Sequence, residues 1–386
     1  MPTLEEVRNR FPALAGEEIF MDNAGGSQLP SDVIDAVGQY MRTSFVQTGG
    51  NYPASHRATQ TVSDAHTFLE SFVGGLGLGR TIIGSSTSSL IHMIAQSYSD
   101  VLPADAEVIV AESGHEANVG PWMRLAKRGS KVILWEADSV TGICRPERLQ
   151  ELITAKTKLV AFPHVSNLLG GVEDISACTA IAHGAGARVI VDGVAYAPHL
   201  PVNVAEWGVD WYVFSTYKVF GPHGAALWGT NEALAELDGP NHYFIPRDDG
   251  VYRFELGGAN HELCAGLLGT KRYLAWLGGM DAGARMEEPL TEALMDGLRA
   301  NSDVHIVGPN SNRVPTVSFI HSRRAPSEIV EAAAEEGVGI KSGHFYSYRL
   351  VKRLGLDPDT GVARISLAHY NSLGEVERIL QVIRQL

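Results

Sequence analysis

Residues 188–224 read RVIVDGVAYAPHLPVNVAEWGVDWYVFSTYKVFGPHG. Two short runs within them, RVIV (188–191) and WYVFS (211–215), are apolar on consecutive positions, the pattern of strands covered on both faces. Each ends on polar groups: Asp192-Gly193 after the first, Thr216-Tyr217-Lys218 after the second. The stretch between them is long enough for a crossover helix, which makes the pair a parallel one. The same alternation extends outward over residues 81–230, through TIIG, EVIVAE, KVILWEA and KLVAFPHV on one side and AALWG on the other. An α/β fold with a mainly parallel central sheet follows.

Beyond Gly257 the pattern changes to longer helical stretches, 262–277 and 286–300. VPTVSFIH, a helix near 327–336, VGIKSG, ARISLAHY and a last helix from about Glu375 come after them. This is a smaller α+β C-terminal domain. The boundary falls between Gly278 and Ala300, which gives a large domain over 42–285 and a small one over 286–386. Residues 1–41 form a segment expected to pack on the small domain, opening with an amphipathic helix over 1–14 in which Thr3 and Glu6 stand at capping-box spacing. At ~150 residues per domain, 386 residues accommodate this division.

Forty-four acidic against 31 basic residues leave a net charge of −13, and no cluster of Lys and Arg offsets it. That excludes a non-specific nucleic-acid or anionic-membrane binder, so any anionic ligand must be held locally. Charged residues make up 19%, below the ~25% usual for soluble domains, which indicates a large interior. The three cysteines, Cys144, Cys178 and Cys264, are scattered, so neither a disulfide framework nor a zinc site is expected. The N-terminus carries charges where a leader would be apolar, and no run approaches the ~18 apolar residues needed to cross a bilayer. A cytoplasmic protein with no metal and no membrane or nucleic-acid partner is the expectation.

In open parallel sheets ligands sit beyond the carboxyl ends of the strands. After TII comes GSSTSS (84–89) leading into a helix; Ser86 and Thr87 either cradle a phosphate at the helix N-terminus or simply cap it. His115 follows EVIVAE, and either stacks, moves protons or binds metal, or merely caps a turn. Asn167 follows KLVAFP, reaching a ligand oxygen or making a turn. Asp192 ends an apolar strand and needs a cationic or N–H partner there, from an Arg or from a ligand nitrogen. Lys218 lies in an aromatic run, where desolvation makes an amine nucleophilic towards carbonyls, unless it snorkels at the sheet margin. Together these are the parts that hold a phosphorylated pyridine aldehyde: a phosphate anchor, a stacking group, an anion for the ring nitrogen and an amine for a Schiff base.

At these residues the sequence resembles the pyridoxal-phosphate enzymes of fold type I, in particular the class-V aminotransferase group that holds cysteine desulfurases, selenocysteine lyases, isopenicillin-N-epimerase-like proteins and carbon–sulfur lyases. The resemblance runs through FMDNAGGSQLP (20–30), GHEANVGPW (114–122), HVSNLLGG (164–171), VDGVAYAPH (191–199), FSTYKVFGPHG (214–224), RFELGGANHE (253–262) and ARISLAHYN (363–371). It implies that Lys218 is the Schiff-base lysine and Asp192 pairs with the pyridine nitrogen of pyridoxal 5'-phosphate. His115 stacks on the ring, Asn167 lies near the phenolic oxygen, and Ser86 and Thr87 hold the phosphate with Ser215 beside them. Gly258, with Asn260 close by, stands where relatives often carry a Thr that reaches the partner's phosphate, and since members of the group are usually homodimers with the site near the interface, the resemblance implies a homodimer here. Arg364 binds the α-carboxylate of an amino-acid substrate, with Asn23 and Ala24 as further substrate contacts; apart from the resemblance, Arg57 in the Gly- and Pro-containing loop 47–57 is either a second carboxylate contact or a solvated arginine.

The sequence also departs from the group's pattern. Where related desulfurases carry a persulfide-forming cysteine, KSGHFYSYR (341–349) has Tyr346. Ala195 replaces a usual Gln, and Tyr217 a usual His before the lysine. A classical desulfurase is thereby disfavoured. The reading that follows is β-elimination from an S-substituted cysteine, with Lys218 as base and Tyr346 or Tyr217 assisting the leaving group, unless both tyrosines are packed rings. The alternative is decarboxylation with oxidative deamination, epimerisation or transamination of a cysteinyl adduct in natural-product biosynthesis.

Overall fold

Consecutive apolar positions call for cover on both sides of a sheet, and a computed structural model, describing residues 1–248 and 250–386, provides it. The strands are β1 (Ile19–Phe20), β2 (Gly79–Gly84), β3 (Glu107–Ala111), β4 (Lys131–Trp135), β5 (Thr157–Pro163), β6 (Arg188–Asp192), β7 (Trp211–Ser215), β8 (Ala225–Thr230), β9 (Val304–Val307), β10 (Thr316–His321), β11 (Val338–Gly339), β12 (Lys341–Gly343) and β13 (Val362–Ser366). Seven of them form one sheet in the order β2-β8-β7-β6-β5-β3-β4. Only β8 runs against its neighbours; β4, β3, β5, β6 and β7 pair in parallel.

The period-2 geometry of a strand sends Val189, Val191, Tyr212, Phe214 and Trp228 into one core. Ile190, Trp211, Val213 and Leu227 enter a second core on the opposite face. β4 differs from the expectation of two covered faces: of its five residues only Trp135 is fully buried, because the strand lies at the sheet edge.

A second sheet, β12-β13-β10-β9, is antiparallel throughout. It packs through Val317, Phe319 and Ile365 on Leu294 of helix Met280–Arg299 and on Leu380 of helix Leu373–Arg384. The N-terminal segment packs on this part of the chain: β1 pairs in parallel with β11 as a separate two-stranded sheet, and Arg8 donates to the Tyr370 carbonyl at 2.8 Å.

Two helices depart from the sequence reading. The first has the Thr3–Glu6 capping box but covers only Leu4–Arg8, followed by a separate 3₁₀ turn at Pro12–Ala15. The reason is Pro12, which holds Phe11 in extended backbone and so interrupts the helix. The helix expected from residue 286 begins at Met280, because Gly278 and Gly279 both take positive φ and turn the chain straight into it. Among the described residues no helix is long and apolar enough to cross a membrane.

Candidate active site

Five strands aim their carboxyl ends at one cleft. Its lining includes Ser86, Thr87 and Ser88 after β2, His115 after β3, Asn167 after β5, Asp192 at the end of β6, Ser215 at the end of β7, and Tyr217 and Lys218 just beyond it. The cleft holds about 540 Å³ free of protein atoms, part of it open to solvent. Its ends differ in charge preference, and each difference has a local cause.

At one end helix Thr87–Val101 begins. Ser86 and Ser89 form a reciprocal capping box, with the Ser89 N–H donating to Ser86 Oγ at 3.1 Å. The first-turn amides of Thr87 and Ser88 have no acceptor within the helix and present a positive field to an anion. Thr87 Oγ1 shares a 2.8 Å hydrogen bond with Ser215 Oγ, which ties the helix start to β7.

At the other end Asp192 is buried. Burial raises its carboxyl to about 6 against the pull of the Val194 N–H and of Lys218. Val194 N–H donates to Oδ1 at 3.0 Å, and no ion pair forms at the carboxylate among the described residues. The Gly193 that follows packs its backbone on Tyr212, where a Cβ would lie 2.1 Å from the ring. Tyr212 in turn bonds His164 Nδ1 at 3.1 Å, and His164 stacks on Tyr196 at 3.5 Å. This rigid floor fixes the direction of Asp192.

Lys218 is half-buried at the cleft, and its amine falls to about 8, chiefly through desolvation and then through the positive charge of Arg364. Its turn is pinned from the N-terminal segment. Ser27 Oγ donates to the Tyr217 carbonyl at 3.1 Å and accepts from Phe220 N–H at 3.0 Å, holding Phe220 at φ 58°. His115 falls to about 4 by burial and by the charges of Lys218 and Arg364, so its ring is neutral. Its Nδ1 accepts from Ala117 N–H at 3.0 Å, which leaves the proton on Nε2.

A buried carboxylate without a cation and a half-buried amine without an acceptor among the described residues, together with a helix N-terminus around one cleft, suit a flat aldehyde with a protonated ring nitrogen and a phosphate. The residues present therefore fit pyridoxal phosphate.

Other predicted residues lie differently. Asn167 lines the cleft, but its amide donates to the Phe345 carbonyl at 2.8 Å and accepts from Ser347 Oγ at 2.9 Å. Arg364 on β13 donates to Asp22 at 2.6 Å and to the Asn167 carbonyl at 2.9 Å, with Nε buried and unpaired. Tyr346 is 66% exposed, its ring centroid 5.1 Å from that of His115. Asn23 does not face the cleft with a free group: it donates to the Phe20 and Ser366 carbonyls and to Asn371, and accepts from Tyr370. Ala24 N–H is taken by Ser366 Oγ at 2.8 Å. Both tie the N-terminal segment to β13, which leaves Asp22 as the residue that meets Arg364.

Arg57 stands away from the cleft, bound to Ser44 Oγ at 3.1 Å and to the Thr43 carbonyl. Gly258 and Asn260 line a separate depression beside Ser85, Ser89 and His223, and Asn260 caps helix His261–Leu277. Asp22, Ser27, Phe345 and Ser347 were not singled out from the sequence. Asp22 offered one signal, an acid beside the small residues Ala24, Gly25 and Gly26; the others offered none.

The model of the family described as aminotransferase class-V matches residues 19–379. The chain is 36% identical, over its full length and 98% of the relative, to the aminotransferase-like protein FGM3 of Gibberella zeae. It is 29% identical to a probable cysteine desulfurase of Mycolicibacterium paratuberculosis, of which it spans 57%. It is 33% identical to the nonribosomal peptide synthetase-like enzyme fsqF of Aspergillus fumigatus, of which it spans 26%. Among solved structures, a cysteine desulfurase of Thermococcus onnurineus superposes over the whole chain and 98% of its own length with a TM-score of 0.92 at 26% identity. The cysteine desulfurase CsdA of Escherichia coli does so, with the same coverage, at 0.87 and 25%.

Proposed function

The chain belongs to the class-V aminotransferase family and is a pyridoxal-phosphate-dependent enzyme, and from that premise we propose that it is a carbon–sulfur lyase acting on S-substituted cysteines. The observation that carries the reading is the state of the thiols. Cys144, Cys178 and Cys264 are all buried, with burial raising each above the ordinary thiol range, Cys264 to about 12. No thiol lies in the 341–349 segment, where Tyr346 stands. No accessible thiol among the described residues is placed to receive a sulfur, which supports a reaction in which the sulfur leaves with its substituent.

Bound pyridoxal phosphate supplies an aldehyde that captures the substrate amine and a ring that accepts the electron pair of Cα. The chain's own groups do the rest. Asp192 holds the ring nitrogen protonated, and the helix start at Ser86–Ser88 holds the phosphate with Thr87 and Ser215. His115, neutral, covers the ring. Arg364 receives the α-carboxylate as a charge-assisted contact. Lys218, depressed to about 8 and so partly uncharged, takes the Cα proton. The Cβ–S bond then breaks with its electron pair on sulfur, and Tyr346 or Tyr217 protonates the thiolate. Water converts the released 2-aminoacrylate to pyruvate and ammonia.

The domain division at 42–285 and 286–386 is supported by the confinement of the two sheets to residues 79–230 and 304–366. A homodimer is part of the reading, supported by Gly258 and Asn260 lying outside their own chain's cleft. Its solution mass is twice 41.6 kDa. The second reading, decarboxylation with deamination or another use of the carbanion, draws on the names of the aminotransferase-like and synthetase-like relatives and on the engagement of Arg364 by Asp22.

The deciding measurement gives the loaded enzyme a panel of S-alkyl and S-aryl cysteines and follows pyruvate, thiol, carbon dioxide and aldehyde together. Elimination yields pyruvate and thiol in equal amounts, both lost with the visible absorbance band in Lys218→Ala. Carbon dioxide and aldehyde without thiol overturn it in favour of the second reading.

A further inference from the structure

Arg364 pairs with Asp22 at 2.6 Å, and its positive charge reaches both Lys218 and His115. Yet it is closed to a ligand. The ring of Phe345 lies over it, centroid 3.8 Å from Cζ, and only 3% of the side chain is exposed. Asp22 takes one hydrogen of one amino group and the Asn167 carbonyl one of the other, so three of the five N–H donors remain for a carboxylate, among them Nε, which is buried without a partner.

The segment carrying Phe345 is built under tension. Phe345 and Tyr346 adopt φ 48° and 60°, two consecutive left-handed positions that bulky side chains rarely take. The pair persists because five hydrogen bonds hold the backbone around it: Tyr346 N–H donates to His344 Nδ1 at 3.0 Å and Ser347 N–H to the His344 carbonyl at 2.8 Å within the turn, and three more tie it to the rest of the chain. Asn167 donates to the Phe345 carbonyl at 2.8 Å, Glu116 N–H to the Tyr346 carbonyl at 2.9 Å, and Ser347 Oγ to Asn167 Oδ1 at 2.9 Å. Only a few bonds and one ring-cation contact therefore stand between this conformation and a relaxed one.

We propose that Phe345 is a specificity-determining gate: it competes with the substrate's carboxylate for Arg364, and segment 344–348 swings off the guanidinium when an amino acid binds. The proposal rests on Arg364 being the carboxylate receptor. A carboxylate offers the guanidinium a charge-assisted contact in place of the ring, whereas an amine without a carboxylate offers nothing and leaves the gate shut. Closure thus lowers the apparent affinity of every carboxylate ligand by the fraction of time the gate is open, and selects ligands that bind strongly enough to open it. Phe345 is a positioning residue here and takes no part in bond breaking.

The test uses the full-length, cofactor-loaded protein and two amines of equal skeleton. 2-Methylalanine has a carboxylate but no Cα proton, and isopropylamine lacks the carboxylate. Binding is followed by the change in the cofactor's visible absorbance, and the segment by amide deuterium exchange. In the wild type 2-methylalanine raises exchange across 344–348 and isopropylamine does not. Phe345→Ala lowers the half-saturating concentration of 2-methylalanine about fivefold or more and leaves that of isopropylamine unchanged. Ser347→Ala, which loosens the segment without touching Arg364, moves it the same way. An unchanged or weakened response to 2-methylalanine in both variants overturns the gate. Arg364→Ala separates the two readings: if it leaves 2-methylalanine binding intact, the carboxylate assignment falls, whatever Phe345 does.

Discussion

Asp192 and Glu173 are both buried carboxyls, yet only one has a partner waiting. Asp192 sits at about 6 in the free cleft, with one backbone N–H and the distant Lys218 as its support. A protonated ring nitrogen supplies the missing cation and draws it back to the charged form. Asp192→Asn removes that exchange, and turnover is expected to fall about 10²-fold or more while the cofactor's visible band persists. Loss of the band instead would make Asp192 an anchor rather than an electronic partner. Glu173 accepts from Cys144 N–H at 3.1 Å and from Ser113 Oγ at 3.2 Å, no cation is near, and burial raises it to about 8. A carboxyl raised above its unfolded value of 4.5 contributes stability that is present below 4.5 and lost as pH rises through 8. Between those values folding takes up a proton, which costs up to about 1.4 kcal/mol per pH unit. The thermal midpoint of the wild type should therefore fall relative to that of Glu173→Gln between pH 5 and pH 8. Parallel curves would refute the shift.

At the scale of elements, helix Thr87–Val101 does two jobs with one residue. Ser86 caps the helix and stands at the phosphate end of the cleft. Ser86→Ala is expected to cost the apoprotein about 1 kcal/mol and to weaken pyridoxal-phosphate binding as well. A stability loss with unchanged cofactor affinity would confine Ser86 to capping. This helix and the parallel strands were legible because their signals are local: consecutive apolar positions in 188–191 and 211–215, and hydroxyls before Leu90 and Ile91. The five strand-end groups were legible for the same reason, since each follows its strand by a residue or a few. What escaped was fixed by contacts across the chain. Asn23, expected among the substrate contacts, has its amide held by Ser366 and Asn371, more than three hundred residues away. Asp22 meets Arg364 over a similar separation, and Phe345 covers the same guanidinium only because Asn167 binds its carbonyl. Arg57, expected as a substrate contact, is held in this chain by Ser44 and by the carbonyl of Thr43, a pairing that the loop's composition does not announce.

The whole molecule sets a long-range problem that the cleft must solve locally. Its net charge of −13 repels the phosphate of the cofactor and the carboxylate of the substrate alike, and the attractive groups are a helix terminus, Lys218 and a covered Arg364. Long-range repulsion and short-range attraction respond differently to salt. At 0.01 M ionic strength the screening length is about 30 Å, comparable to the molecule, whereas at 0.15 M it is about 8 Å, so salt removes the distant repulsion before it touches the contacts inside the cleft. Uptake of pyridoxal phosphate by the apoprotein, timed by the growth of the visible band, should therefore quicken a few-fold between those salt concentrations. Pyridoxal, which lacks the phosphate, should show little dependence. The opposite sign, a slowing with salt, would mean that the field at the mouth of the cleft is positive and already reaches into solution. Net charge would then be a poor guide to what the site attracts, and the burden of capture would lie with the helix terminus and Lys218 from the first encounter.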